Sequence, residues 1–121
     1  MNYNKKEFAK ELEKRTMQFA VRIIRLSISL PNTIEAKVIR NQITKCATSI
    51  GANYREANRV RSRSDFRNKI RICESETSET KYWLEVIIEM KWKSKEEIRG
   101  EYDECNELLA LFTTISKNTK V

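Results

Sequence analysis

The chain contains no histidine in its 121 residues. This absence excludes Ser-His and Cys-His catalytic arrangements, and it removes the imidazole ligand that most zinc sites and bundle-type di-iron sites require. Only two glycines and one proline punctuate the sequence, which favours a few long elements over many short strands. We therefore expect long helices and no histidine-based chemistry.

Cysteine and uninterrupted hydrophobic runs are also scarce. Cys46, Cys73 and Cys105 are odd in number and lack close spacing, so we expect small core residues in a reducing cytosol rather than disulfides or a metal site. The most apolar stretch, residues 19–30, contains two arginines and is too short to span a bilayer. Without a visible secretion signal, the sequence predicts a soluble, cytoplasmic protein with no membrane partner.

What the sequence does contain is charge in a helical pattern. Charged residues make up 34% of the chain and the hydrophobic set 40%, a balance typical of amphipathic helices. Apolar residues recur every three or four positions, which predicts helices at about residues 4–30, 33–60, 64–90 and 95–116. Because short links force long amphipathic helices to fold back on one another, we predict one all-α domain over residues 1–121, an antiparallel up-down-up-down four-helix bundle.

Local signals mark the predicted helix ends. Pro31 ends the first helix, since it disfavours a helical residue before it. Asn32, Ser62 and Ser94 are each followed three residues later by an acid, which predicts them as N-caps of the second, third and fourth helices. Gly51 costs about 1 kcal/mol relative to alanine within a helix, which indicates close approach by a neighbouring helix.

Polar residues on the second and third helices have two interpretations. The residues are Asn53, Glu56, Glu76 and Glu79. We favour a structural hydrogen-bonded network that fixes the helix register. A carboxylate-only metal enzyme is a further hypothesis, although the Glu-x-x-His pairs of di-iron bundles are missing. We therefore predict no catalytic residue, no cofactor and no metal.

The densest charge feature spans residues 55–71, which we name the basic corner. The whole chain contains 24 Lys and Arg and 17 Asp and Glu, which gives a net charge of +7. The basic corner consists of Arg55, Arg59, Arg61, Arg63, Arg67, Lys69 and Arg71. Arginine forms forked contacts with phosphate, so we predict contact with RNA or DNA, without a base-reading motif. The alternative is a solvated face.

Two further features favour self-association. Six acids in residues 96–107 make the fourth helix acidic, so it can pair with the basic corner of another subunit. The consecutive residues Tyr82, Trp83 and Leu84 cannot all face one core, so we predict a homo-oligomer interface at Tyr82 and Trp83. The alternatives are solvated faces and a ring lying flat on the bundle's own surface.

The residues also carry a resemblance. The run Ala47–Ala57 resembles the signature of a bacterial four-helix-bundle family, the 23S rRNA-intervening sequence proteins, and so do residues 64–66 and 82–84. The similarity extends from about Phe8 to Leu111. The departures from the family pattern are Cys46, Cys73, Glu74 and Thr77.

The resemblance implies a short-looped bundle and often a ring-shaped homopentamer, encoded within insertions in large-subunit rRNA genes or elsewhere in bacterial genomes. Distant relatives serve as accessory proteins to reverse transcriptases in diversity-generating retroelements, where they bind RNA and the enzyme. The family offers no catalytic residues to carry over. The leading hypothesis is a non-enzymatic oligomeric RNA-binding protein, and the alternative is a homo-oligomeric protein-interaction scaffold without nucleic-acid contact.

Overall fold

In a computed structural model, the described part of the chain forms four helices. They are α1 (Lys5–Ile28), α2 (Ile34–Ala57), α3 (Arg63–Glu89) and α4 (Arg99–Asn118). Each helix packs on its neighbours in sequence, and α4 returns to contact α1. Across each interface, residues with rising numbers on one helix contact residues with falling numbers on the other. Neighbouring helices are therefore antiparallel, and the chain runs up, down, up and down. The predicted all-α four-helix bundle is confirmed.

The structure describes residues 4–121, so the first three residues of the predicted domain lie outside it. Within this range there is no strand. No helix of the described chain combines the length and the apolar composition that crossing a bilayer requires.

Side-chain caps start three of the helices. Asn4 and Ser62 accept hydrogen bonds from the backbone N–H groups three residues on, at 2.8 and 3.0 Å. The prediction of Asn32 as the cap of α2 is wrong by one residue. Thr33 has the extended backbone of an N-cap, and its Oγ1 accepts from Ala36 N at 3.1 Å. Thr33 is therefore the cap that satisfies an orphan donor of the first turn.

The start of α4 differs from the prediction. Ser94 and Glu97 do form a reciprocal capping box, with N–H to oxygen distances of 2.8 and 3.1 Å. The box closes only a short turn over residues 95–98, and α4 begins at Arg99 rather than near residue 95. Ile98 precedes it, only 2% exposed. Its φ of −114° and ψ of 20° are not helical, so the turn of the box does not continue directly into α4.

The end of α3 is a Schellman motif. Trp92 N donates to Ile87 O at 3.2 Å, and Lys91 N donates to Ile88 O at 2.9 Å. Lys91 adopts the left-handed φ of 59° that this motif requires and that glycine usually supplies. The end of α2 also differs from the prediction, because the helix gives way at Asn58 to a turn rather than continuing to about residue 60.

The core contains large apolar side chains from all four helices. Its most buried members are Leu12, Phe19, Ile23, Ile43, Ile50, Ile70, Leu84, Ile87, Leu108 and Phe112. Thr16, Thr77 and Thr80 are also fully buried. Each of these three hydroxyls donates to a backbone carbonyl one turn earlier in its own helix, so its burial leaves no unpaired donor.

Three buried, free thiols link α2, α3 and α4. Cys73 donates from Sγ to Ile50 O at 3.5 Å, and Cys105 donates to Thr77 O at 3.4 Å. Burial raises the pKa of Cys46 to about 11, and of Cys73 and Cys105 to about 12. The cysteines are neutral core residues: Cys73 and Cys105 donate weak hydrogen bonds to a neighbouring helix, whereas Cys46 donates to Ile43 O of its own helix.

Ion pairs hold α1 against α4. The Arg15 guanidinium forms a fork on Glu104, with N–O distances of 3.0 and 2.7 Å, and reaches Glu107 at 3.1 Å. About two turns further along α1, Arg22 pairs with Glu101 at 3.4 Å. Several acids of α4 are thus paired within the chain, which leaves less negative charge to attract another subunit.

α1 and α2 approach each other closely at Gly51. A Cβ placed on Gly51 would lie 3.0 Å from Thr16 Oγ1 and 3.3 Å from Thr16 Cβ. Thr16 cannot move away easily, because its hydroxyl donates to Leu12 O and Glu13 O at 3.0 and 2.9 Å. Gly51 therefore has the close-approach role that its helix position predicts.

We predict that Gly51→Ala lowers the free energy of unfolding by about 1 kcal/mol. Overpacking against Thr16 costs about 1–3 kcal/mol, and the better helix propensity of alanine returns about 1 kcal/mol. Chemical denaturation of the single variants and of the Thr16→Ala/Gly51→Ala double variant tests this. In the Thr16→Ala background, Gly51→Ala should be neutral or stabilising.

Gly100→Ala is the matched control for this prediction. A Cβ at Gly100 meets only the mobile end of the Arg22 side chain, so this substitution should stabilise the protein by up to about 1 kcal/mol. If Gly51→Ala stabilised the protein as much as Gly100→Ala, the close-contact role of Gly51 would be wrong.

Candidate nucleic-acid interface

The basic corner begins at the turn that ends α2. Arg59 N donates to Glu56 O at 3.0 Å, which tightens this turn, and the connection to α3 is complete at the Ser62 cap. Arg59, Arg61 and Arg63 lie along this connection and are all exposed. Within residues 4–121, none of the three guanidinium groups has a carboxylate within ion-pair distance. They are available to an external anion.

The structure does not gather all seven basic residues into one patch. Arg55 is exposed on the α1 side of α2, with its Nη2 4.0 Å from Met17 Sδ. Arg71 lies on the other side, where it lines a groove between α3 and α4 with Leu109 and Thr113. The arginines of the connection form the centre of the basic corner, and these two extend away from it in different directions.

Lys69 is committed to a partner within the chain. Its Nζ donates to Glu56 Oε1 at 2.8 Å. This hydrogen bond and the nearby positive charge lower the pKa of the Glu56 carboxyl. Because the pair is internally neutralised, Lys69 is the weakest of the predicted phosphate contacts.

Arg67 is a different exception. The residue is half-buried, and its Nε is buried without a hydrogen-bond partner in the described part of the chain. A buried donor left unpaired costs about 1–3 kcal/mol. The fold therefore gains no hydrogen bond from this N–H.

Two lysines far away in sequence join this end of the bundle. Lys5, near the start of α1, and Lys120, beyond the end of α4, line one cleft with Arg61 and Arg63. Sequence reasoning missed both, because neither residue lies near the basic corner in the sequence. The signal that could have found them was the topology, since an up-down-up-down bundle returns both chain ends to the end that carries the α2–α3 connection.

The four residues of the predicted polar network do not hydrogen-bond to one another in the described chain. Asn53 donates to Ser49 O and Oγ, at 2.9 and 2.8 Å, within its own helix. Glu56 pairs with Lys69, and Glu79 accepts from Trp83 Nε1 at 3.1 Å. Glu76 is half-buried. Asn53 and Glu79 therefore bond within their own helices and the Glu56–Lys69 pair joins α2 to α3, but the four residues do not form one network.

The arrangement of acidic and thiol groups does not support a metal centre. Among residues 4–121, no three Cys, Asp or Glu side chains converge in an arrangement that could hold a metal ion. Glu56 and Glu79, two of the three carboxylates considered for such a centre, have the separate partners given above. The residues of α2 and α3 therefore do not fit a di-metal group.

The predicted interface aromatics differ in exposure. Tyr82 is 56% exposed, and its ring meets the half-buried Trp83 edge-on, with centroids 4.9 Å apart. The hydrogen bond to Glu79 holds the Trp83 indole in place. Tyr82 is the ring that faces away from the core, as the three-residue argument requires, and whether it contacts a partner stays a prediction.

The departures from the family pattern also have local partners. Glu74 Oε2 accepts from Thr113 Oγ1 at 2.9 Å, which joins α3 to α4. Thr80 Oγ1 donates to Cys46 Sγ at 3.1 Å, which joins α3 to α2. Glu74 and Cys46 therefore make polar contacts between helices.

We predict that Arg67→Met leaves the free energy of unfolding unchanged or raises it. Methionine keeps the apolar stem and removes the unpaired buried donor. Arg71→Met, at an exposed position, is the control and should change stability by less than about 0.5 kcal/mol. Thermal and chemical unfolding measure both. Destabilisation by Arg67→Met of more than about 1 kcal/mol would mean that the arginine contributes to the fold.

Comparison with known proteins places this geometry in context. A family model described as 23S rRNA-intervening sequence protein matches residues 9–114. The chain is also similar to a crystal structure of a protein of unknown function from the S23 ribosomal protein family of Bacteroides thetaiotaomicron VPI-5482. The two are 38% identical, the match covers 88% of this chain and 98% of that one, and the TM-score is 0.81. None of the curated proteins matches the chain.

Proposed function

We propose, from the premise that the chain belongs to the 23S rRNA-intervening sequence protein family, that it is a non-enzymatic protein that binds RNA through the basic corner. The observation that carries the proposal is the set of three exposed guanidinium groups, Arg59, Arg61 and Arg63, which have no ion-pair partner in residues 4–121. Lys5 and Lys120 extend the same positive surface.

The chemistry of this surface favours phosphate. A planar guanidinium donates two parallel hydrogen bonds to phosphate oxygens and keeps its charge at any physiological pH. Phosphate contacts position a strand without reading its sequence, and the proposal accordingly assigns no base-specific contact to these arginines. The resemblance supports RNA as the polyanion, since it extends to distant relatives that bind RNA.

We predict that the Arg59→Glu/Arg61→Glu/Arg63→Glu variant loses RNA retention at low salt. Each contact with a single strand contributes about 0.7 to the slope of log affinity against log salt, so removing three should reduce the slope by about 2. Fluorescence anisotropy with a labelled single-stranded RNA, measured over a salt series, gives both quantities. Unaltered affinity in this variant would contradict the proposal.

The matched control reverses the same amount of charge elsewhere. Arg25, Lys37 and Lys45 are exposed on α1 and α2, and the Arg25→Glu/Lys37→Glu/Lys45→Glu variant has the same net charge as the test variant. If RNA binding reflected net charge alone, the two variants would lose affinity equally. Retention by the control and loss by the test variant locate the binding at the basic corner.

The second candidate is a homo-oligomeric scaffold that docks a protein partner without contacting nucleic acid. Exposed apolar side chains on α1 and α2 support it. They are Met17, Val21, Ile28, Ile34 and Val38. Met17, Val21 and Ile28 share one face of α1 by their spacing, and Ile28 and Ile34 are 67% and 79% exposed. Burial of these side chains in a subunit interface would remove this apolar surface from water.

We predict a mass above that of one 14.3 kDa chain in light scattering, and about five times that mass if the homopentamer implied by the resemblance forms. Val21→Asp/Ile28→Asp should dissociate the oligomer if the α1 face is the contact, and Tyr82→Asp should do so if the aromatic pair is. A strictly monomeric wild type would exclude the scaffold. Measuring absorbance on the same sample reports nucleic-acid carry-over, which the scaffold alternative does not expect.

A further inference from the structure

An apolar cavity opens beside the basic corner, at the end of the bundle where all four helices meet. It encloses about 480 Å³ and is lined by Tyr54, Phe66 and Ile115, with Ala9 at its α1 side and Lys5 and Asn58 as polar members. Its size falls within the range of small-ligand sites in proteins. The predicted sequence motifs do not account for it, because its lining residues come from distant parts of the chain.

We infer that this cavity receives one unpaired base of the bound RNA, while the neighbouring basic cleft holds the adjoining phosphate. The inference rests on the proposed function and adds to it a contact that senses the base. Single-stranded RNA is commonly bound in this way, because every base has a flat face that stacks on aromatic side chains.

The walls of the cavity suit a flat ring. Tyr54 is 2% exposed and its ring packs edge-on against Phe112 with centroids 5.7 Å apart, so it forms the fixed floor of the cavity, and the aromatic face open to a ligand is that of Phe66. Phe66 and Ile115 are half-buried and contribute an aromatic and an aliphatic surface. A preformed wall avoids the entropy cost of ordering side chains during binding.

Polar groups at the edge of the cavity can form hydrogen bonds with the polar atoms of a base. Asn58 Nδ2 donates to Glu13 Oε2 at 2.9 Å, which fixes the orientation of the amide. Its Oδ1 accepts no hydrogen bond within the described residues and can accept an N–H of a base. Burial raises the pKa of the Tyr54 hydroxyl, and the adjacent Asn58 amide opposes that shift. The phenol therefore stays protonated at neutral pH and is a potential donor.

Charge identifies the occupant as a nucleotide rather than an apolar side chain of a protein partner. The adjoining cleft, of about 340 Å³, shares Lys5 and Phe66 with the cavity and adds Arg61, Arg63 and Lys120. None of these four cationic groups has an ion-pair partner in residues 4–121. In the stretch 58–67, Asp65 is the single acid. A nucleotide fits both features, because its base can enter the apolar cavity while its phosphate lies in the cationic cleft.

The test compares two RNA probes that carry equal numbers of phosphates. One is a labelled oligoadenylate of about eight nucleotides, and the other is the same backbone with abasic residues. Wild-type protein should bind the oligoadenylate about five-fold tighter or more, since one base–aromatic stack contributes at least that factor. Ala9→Leu, which fills the cavity without altering charge, should bring this ratio close to unity and leave the salt dependence unchanged.

Ala110→Leu makes the same change at an exposed position of α4 and should keep the wild-type ratio. Phe66→Leu removes the ring but keeps apolar volume, and it should also lower the ratio, which preserves the test if Ala9→Leu does not fold. Equal binding of both probes by wild-type protein, or an unchanged ratio in Ala9→Leu or Phe66→Leu, would overturn the base site and leave phosphate binding intact. Failure of wild-type protein to bind either probe would refute the proposed function itself.

Discussion

The contact between Gly51 and Thr16 sets the geometry on which the rest of the bundle depends. At Gly51 the backbone of α2 lies close to the Thr16 side chain of α1. If one helix slid along the other, a residue with a side chain would be pushed against the Thr16 hydroxyl, which is held by a hydrogen bond to its own helix. The register of these two helices decides where the α2–α3 connection lies relative to the start of α1. The cleft shared by Lys5 and Arg61 exists because that register is fixed.

The distribution of charge follows from the same topology. Arg15 and Arg22 of α1 form ion pairs with carboxylates of α4, so much of the negative charge of α4 is neutralised within the bundle. At the α2–α3 connection, by contrast, Arg59, Arg61 and Arg63 have no acid within ion-pair distance among residues 4–121. Net charge alone would not have revealed this division between paired and unpaired groups.

The sequence predicted what depends on periodicity and failed where single residues compete. The inward stripes, the role of Gly51 and the Ser62 cap follow from spacing and local chemistry. Thr33 caps α2 where Asn32 was predicted, because the two are neighbouring residues of types that both cap helices well. The helix α4 starts later than predicted because the backbone at Ile98 is not helical. The cavity walls at Tyr54, Phe66 and Ile115 belong to three helices, so no local pattern could have brought them together.

The three thiols of the core have a consequence for experiments on this protein. Thiolate is the reactive form of cysteine, and burial with a pKa of about 11 to 12 keeps all three both inaccessible and protonated while the bundle is closed. Alkylation must wait for the helices to separate. The rate at which a thiol reagent modifies the cysteines therefore reports how often the α2–α3–α4 core opens, and no engineered label is needed.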